Sequence, residues 1–208
     1  MDVKEEYKKL TISLYVAAIL WFVMFSPLTA SMVSFWPMMT ASAIVLTTLA
    51  LVFGGRPALR ADWREVLFGI LIAVVLWGIF WVGDKFSQLL FSYARPQVDL
   101  IYGMKDGHSP WLLTALLLFI IGPAEEIFWR GYVQRRFCER GTANAAFLKT
   151  TAIYALVHLP SMNFMLIMAA LVCGLVWGGL YRLMPHRLTA IVVSHALWDA
   201  AAFVWFPL

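Results

Sequence analysis

Three stretches of this sequence hold the residues best able to do chemistry: IGPAEEIFWRGYVQ with Glu125, Glu126 and Arg130, YALVH with Tyr154 and His158, and HALWD with His195 and Asp199. Each is embedded in an apolar run, so these groups are expected at membrane depth. An ionisable side chain there costs roughly a few kcal/mol or more unless paired or hydrated, and marks a functional site by default. Glu126 and Arg130 stand at i and i+4, where they can pair in the orientation that suits the helix dipole. Glu125 points about 100° away at ~3.6 residues per turn, which leaves it without a partner on its own helix. Tyr154 and His158, like His195 and Asp199, also share a helix face at i and i+4.

A carboxyl among apolar neighbours takes up protons more readily than in water and can act as a general base toward a water molecule. Imidazole N–H groups can stabilise the oxyanion that forms when such a water attacks a carbonyl. The set suits peptide hydrolysis. Glu125, His158 and His195 could instead hold a zinc ion with water in the fourth position. The sequence has no His-Glu-x-x-His motif, so the expectation is a site without metal or other cofactor.

The elements that must position these groups follow from composition. With 62% hydrophobic and 13% charged residues among 208, the chain is far more apolar than a soluble domain, where roughly half apolar and a quarter charged is usual. It reads as one integral membrane domain over residues 1–208, an all-α polytopic bundle of about seven spans. The apolar runs are 10–25, 32–53, 66–83, 111–133, 145–159, 162–183 and 188–206, against the ~20 residues needed to cross the hydrocarbon. The fifth is short and ends at Pro160, so its connection to the sixth must be buried in protein or line a wet cavity. The N-terminal MDVKEEYKKL has both signs of charge and no small-residue cleavage site after it, which reads as a retained first span.

With a cytoplasmic N-terminus, 12 of the 16 basic residues fall on the cytoplasmic side, the positive-inside pattern. A prokaryotic cell membrane is the expected location. The net charge of +4 needs no nucleic acid to explain it. The opposite side has the loop 84–110, in which Phe86, Leu89, Leu90 and Tyr93 fall at helical spacing and suggest a segment lying in the interface. His158 lies nine residues from Lys149, His195 eight from Arg187 and Glu125 ten from Arg135. At ~1.5 Å per residue these three reach about 12 to 15 Å from the cytoplasmic edge, with Asp199 near 18 Å. A single membrane histidine more often just bonds between helices. Convergence at one depth favours a shared site, between spans four, five and seven.

Other candidates are assigned structural roles. His108 and His186 read as surface residues in loops, and the Trp and Phe residues mostly as lipid-facing or belt aromatics. Gly174, Gly178 and Gly179 read as contacts for close helix packing. Gly122 and Pro123 should loosen the helix before the carboxylates, Pro123 freeing a carbonyl. Cys138 and Cys173 give no sign of a disulfide framework.

The motifs Glu125-Glu126-x-x-x-Arg130, Tyr154-x-x-x-His158 and His195-x-x-x-Asp199 resemble those of the CAAX protease and bacteriocin-processing (CPBP) family of intramembrane endopeptidases. The resemblance covers residues 111–208. It implies that Glu125 with His158 activates water, that His195 and residue 199 form the oxyanion site, and that Glu126, Arg130 and Tyr154 support them. Its implied substrate is a membrane-anchored peptide or protein in the lipid bilayer. Tyr154 stands where the family usually has Phe, and Asp199 where its eukaryotic members have Asn. An ionised Asp would repel an oxyanion, so Asp199 is either protonated or orients His195. A proton-coupled transporter would also place Glu and His near the midplane, but would usually show repeated halves or broken helices. A non-catalytic peptide-binding immunity protein would tolerate loss of a site residue, whereas here the set is complete.

Overall fold

The computed structural model describes residues 3–208, and every regular element among them is helical. In chain order these are α1 Val3–Phe25, α2 Phe35–Gly54, α3 Trp63–Leu90, α4 Ala94–Gly103, α5 Pro110–Cys138, α6 Ala143–Leu156, α7 Phe164–Leu183 and α8 Leu188–Asp199. Beyond Asp199, α8 continues as a π-helical turn, Ala200–Trp205. Local chemistry sets many of the boundaries. The side chains of Asp62, Ser109, Thr142 and Asn163 accept backbone N–H bonds at the starts of α3, α5, α6 and α7, satisfying donors that a helix start leaves open. Gly55, with φ 73°, ends α2, a conformation that costs other residues more.

Among the described residues six helices are long and apolar enough to cross a membrane, which makes the chain a multi-pass integral membrane protein. The fifth of the seven expected spans is the exception. α6 has only 14 residues, about 21 Å at 1.5 Å per residue against ~30 Å of hydrocarbon. After it the chain passes through His158, a 3-10 turn at Leu159–Ser161 and Met162 with φ 52°. Two hydrogen bonds tie the end of this connection to its neighbour, although Leu159 and Met162 are exposed: Asn163 Nδ2 donates to the carbonyl of Gln97 at 2.9 Å, and Met165 N donates to Gln97 Oε1 at 3.0 Å. Both acceptors belong to α4.

The expectation of a loop from residue 84 is corrected. α3 runs on for 28 residues, through the charged pair Asp84–Lys85, because Gln88 one turn later donates to Asp84 at 2.6 Å and helps satisfy the carboxylate inside the helix. Phe86, Leu89 and Leu90 are thus exposed residues at the end of α3. The separate short helix is α4, reached through an extended Phe91.

Glycines set the closest helix approaches. A Cβ on Gly122 of α5 would lie 2.6 Å from Ala196 Cα of α8, and one on Gly69 of α3 would lie 2.7 Å from the carbonyl of Ala190, distances at which the backbones would have to part. Gly174 and Gly178 of α7 face α6 across wider gaps, 3.0 Å to Thr151 and 3.2 Å to Phe147, with Thr151 Oγ1 donating to the Gly174 carbonyl at 3.1 Å. Gly179 is in ordinary contact only, 3.8 Å from Phe147. At one end of the bundle Arg136 pairs with Glu6 at 2.8 Å and Arg187 with Glu65 at 3.0 Å. Arg95 pairs with Asp99 at the other, at 2.8 Å.

Candidate active site

α5 is one helix interrupted by two π-helical segments, Leu117–Ile121 and Trp129–Gln134. They flank the α-helical turn Gly122–Phe128 that carries both glutamates. Gly122 and Pro123 loosen the helix as anticipated, and the backbone N–H of Gly122 reaches back to the carbonyl of Leu117. Segments of this kind are frequent at functional sites.

The two glutamates have different surroundings. Glu126 and Arg130 are both fully buried, with Arg130 Nη1 donating to Glu126 Oε1 at 2.7 Å. That oxygen also takes a bond from His195 Nδ1 at 2.7 Å, and the opposite ring nitrogen, Nε2, lies 3.4 Å from Asp199 Oδ2. Arg130, Glu126, His195 and Asp199 form a continuous chain across α5 and α8. Glu125 points elsewhere, and its Oε2 accepts the Tyr154 hydroxyl at 2.8 Å.

His158 is held at both nitrogens. Its Nδ1 lies 2.7 Å from the carbonyl of Tyr154 and therefore bears the proton, which leaves Nε2 to accept the indole N–H of Trp21 at 3.2 Å. His195 stacks on Trp177, with ring centroids 3.8 Å apart; the Trp177 indole donates to Ser194 Oγ at 2.8 Å. The Arg130 guanidinium lies over the rings of Tyr154 and Trp177, 5.0 and 5.8 Å from their centroids, a favourable arrangement for a buried cation.

Glu125, Tyr154, His158, His195 and Asp199 all line one largely apolar cavity of about 590 Å³. Residues expected at a common depth from three separate helices do meet there. Glu126 and Arg130 lie behind the wall. Trp21 of α1 and Trp177 of α7 were missed, because tryptophans were assigned to the lipid belt. Four of the ten, Trp21, Trp36, Trp129 and Trp177, are instead buried. Position carried the signal: Trp21 lies 12 residues past Lys9, about 18 Å into the span at 1.5 Å per residue, too deep for a belt and in need of a partner for its N–H. His108 and His186 are exposed, as expected.

Both ring nitrogens of His158 and both of His195 already face other partners, and among the described residues no three His, Cys, Asp or Glu are grouped to hold a metal.

No curated protein and no solved structure matches the chain. Residues 107–201, which carry every one of these groups except Trp21, match the family model of the Rce1-like type II CAAX prenyl endopeptidases.

Proposed function

We propose that this protein is an intramembrane endopeptidase that hydrolyses a peptide bond in a membrane-anchored or CAAX-like protein or peptide, with Glu125 as the base. The contrast between the neighbouring carboxylates carries the proposal. Glu126 is tied to Arg130 and His195 behind the cavity wall, while Glu125 lines the cavity with a single hydrogen bond, from Tyr154.

Water beside the remaining oxygen of Glu125 gives up a proton to it and attacks the substrate carbonyl. His158, whose Nε2 accepts from Trp21, comes to orient that water where the indole N–H gives way to it. The oxygen of the attacked carbonyl gains charge next to His195. With Nδ1–H on Glu126, His195 presents an Nε2–H that is shared between Asp199, 3.4 Å away, and the oxyanion. Asp199 serves to orient the ring. When the tetrahedral intermediate collapses, the C–N bond breaks and the departing amine takes the proton from Glu125.

Incubation of the purified protein with membrane-anchored peptides, followed by mass spectrometry, is expected to show a single internal cut. Failure to cleave any CAAX-terminated or other membrane-anchored peptide would overturn the assignment. Cleavage is expected to persist after chelation. Stoichiometric zinc in active protein, with activity lost on its removal and restored on its return, would defeat the metal-free mechanism.

The proposed orientation places the N-terminus in the cytoplasm of a prokaryotic cell. A reporter fused after Arg140 is expected on the cytoplasmic face and one fused near Lys105 on the opposite face. Both on one face would refute it.

A further inference from the structure

The cavity has a second polar end that the hydrolytic groups do not use. Asp84 of α3 lines it together with Phe80, Phe91, Ile101 and Tyr102, and its side chain is only 6% exposed. One oxygen, Oδ2, accepts from Gln88 at 2.6 Å and pairs with Lys85 at 3.2 Å. The other, Oδ1, is buried with no hydrogen-bond partner. Lys85 is a weak counter-ion, since its side chain is 55% exposed and solvated charge contributes little. The other cations at this end are engaged: Arg95 by Asp99, and Lys105 by the carbonyl of Phe203. Burial raises the Tyr102 phenol above its ordinary value.

A buried carboxylate with an unpartnered oxygen calls for a donor, preferably a charged one. The aromatic and aliphatic walls suit the methylene stem of a lysine or arginine. Asp84 also lies about 32 Å along α3 at 1.5 Å per residue, near the boundary of a ~30 Å hydrocarbon layer, where a basic side chain is tolerated.

Helix register gives its separation from the hydrolytic end. Gly69 lies against Ala190 and Val193, and Phe80 against Trp198 at 4.6 Å between ring centroids, so His195 is level with residues between those two on α3. Asp84 is then about 10 to 16 Å farther along. We propose that Asp84 forms a subsite for a basic side chain of the substrate, about three to five residues of extended chain from the bond that is cut. The distance from the cut rests on the peptidase assignment; the binding of a basic side chain does not.

The test uses the full-length protein in detergent and fluorescent apolar peptides that carry one Lys, Gln or Glu, stepped along the sequence. Binding is read by anisotropy and cleavage by mass spectrometry in the same samples. Wild type is expected to bind the best Lys peptide at least tenfold more tightly than its Gln counterpart, and Asp84→Asn to lose that preference. A hydrophobic carbodiimide is expected to join the peptide lysine to Asp84 in the wild-type protein, a readout that does not depend on how the variant folds. Equal binding of Lys and Gln peptides, a preference that survives Asp84→Asn, or no cross-link at Asp84 would overturn the subsite. Selective binding without any cleavage would leave the subsite standing and defeat the peptidase assignment instead.

Discussion

Glu125→Gln is expected to fold, to bind peptide and to lose turnover by at least ~100-fold, the scale of a missing general base. The substitution keeps size and shape, and the amide oxygen can still accept the Tyr154 hydroxyl that now reaches Glu125 at 2.8 Å. What disappears is the oxygen able to take a proton from water. Glu126→Gln is expected to differ in kind. Its Oε1 serves both Arg130 and His195 at 2.7 Å, so neutralising it should lower stability first and activity through it. Parallel measurement of detergent denaturation midpoints and of cleavage rates separates the two. A Glu125→Gln protein that cleaves at the wild-type rate would end the glutamate mechanism for this chain.

Arg130→Ala is expected to destabilise the fold by about 3–5 kcal/mol, the range for removing one partner of a buried ion pair. Both side chains are fully buried, so water cannot take over the role of the guanidinium, and the contacts with Tyr154 and Trp177 go with it. The measurement is a denaturation curve in detergent. The double variant Arg130→Ala with Glu126→Gln is expected to lose less than the two single losses combined, because the stranded charge is removed as well. Wild-type stability in Arg130→Ala would mean that the arginine is free to meet substrate.

Local spacing and depth carried much of the site. The i, i+4 rule anticipated the Glu126–Arg130 pair, and counting residues from the basic loops brought Glu125, His158, His195 and Asp199 to one level. Those inferences need only a helix and a membrane edge. Contacts between distant elements were out of reach: the Trp21 indole on His158, the Tyr154 hydroxyl on Glu125 and the Nδ1 of His195 on Glu126 depend on how helices rotate against one another. The length of α3 was misjudged for a related reason. Asp84 and Lys85 look like the end of an apolar run, yet Gln88 bonds one oxygen of the carboxylate within the helix, and the helix runs on.

The π-helical segments on either side of the glutamates have a consequence for insertions and deletions. Each closes its hydrogen bonds over i→i+5 and so accommodates an extra residue in an otherwise α-helical course. Removing one residue from Leu117–Ile121 would let the helix close regularly and swing everything on one side of it by about 100° relative to the other. Gly122 would then no longer face Ala196, and the Glu125 carboxylate would leave the cavity, although every chemical group of the site was still present. The bearing of the Glu125 carboxylate is thus encoded in how many residues precede it as well as in which ones they are, and a scan of substitutions alone would pass over that requirement.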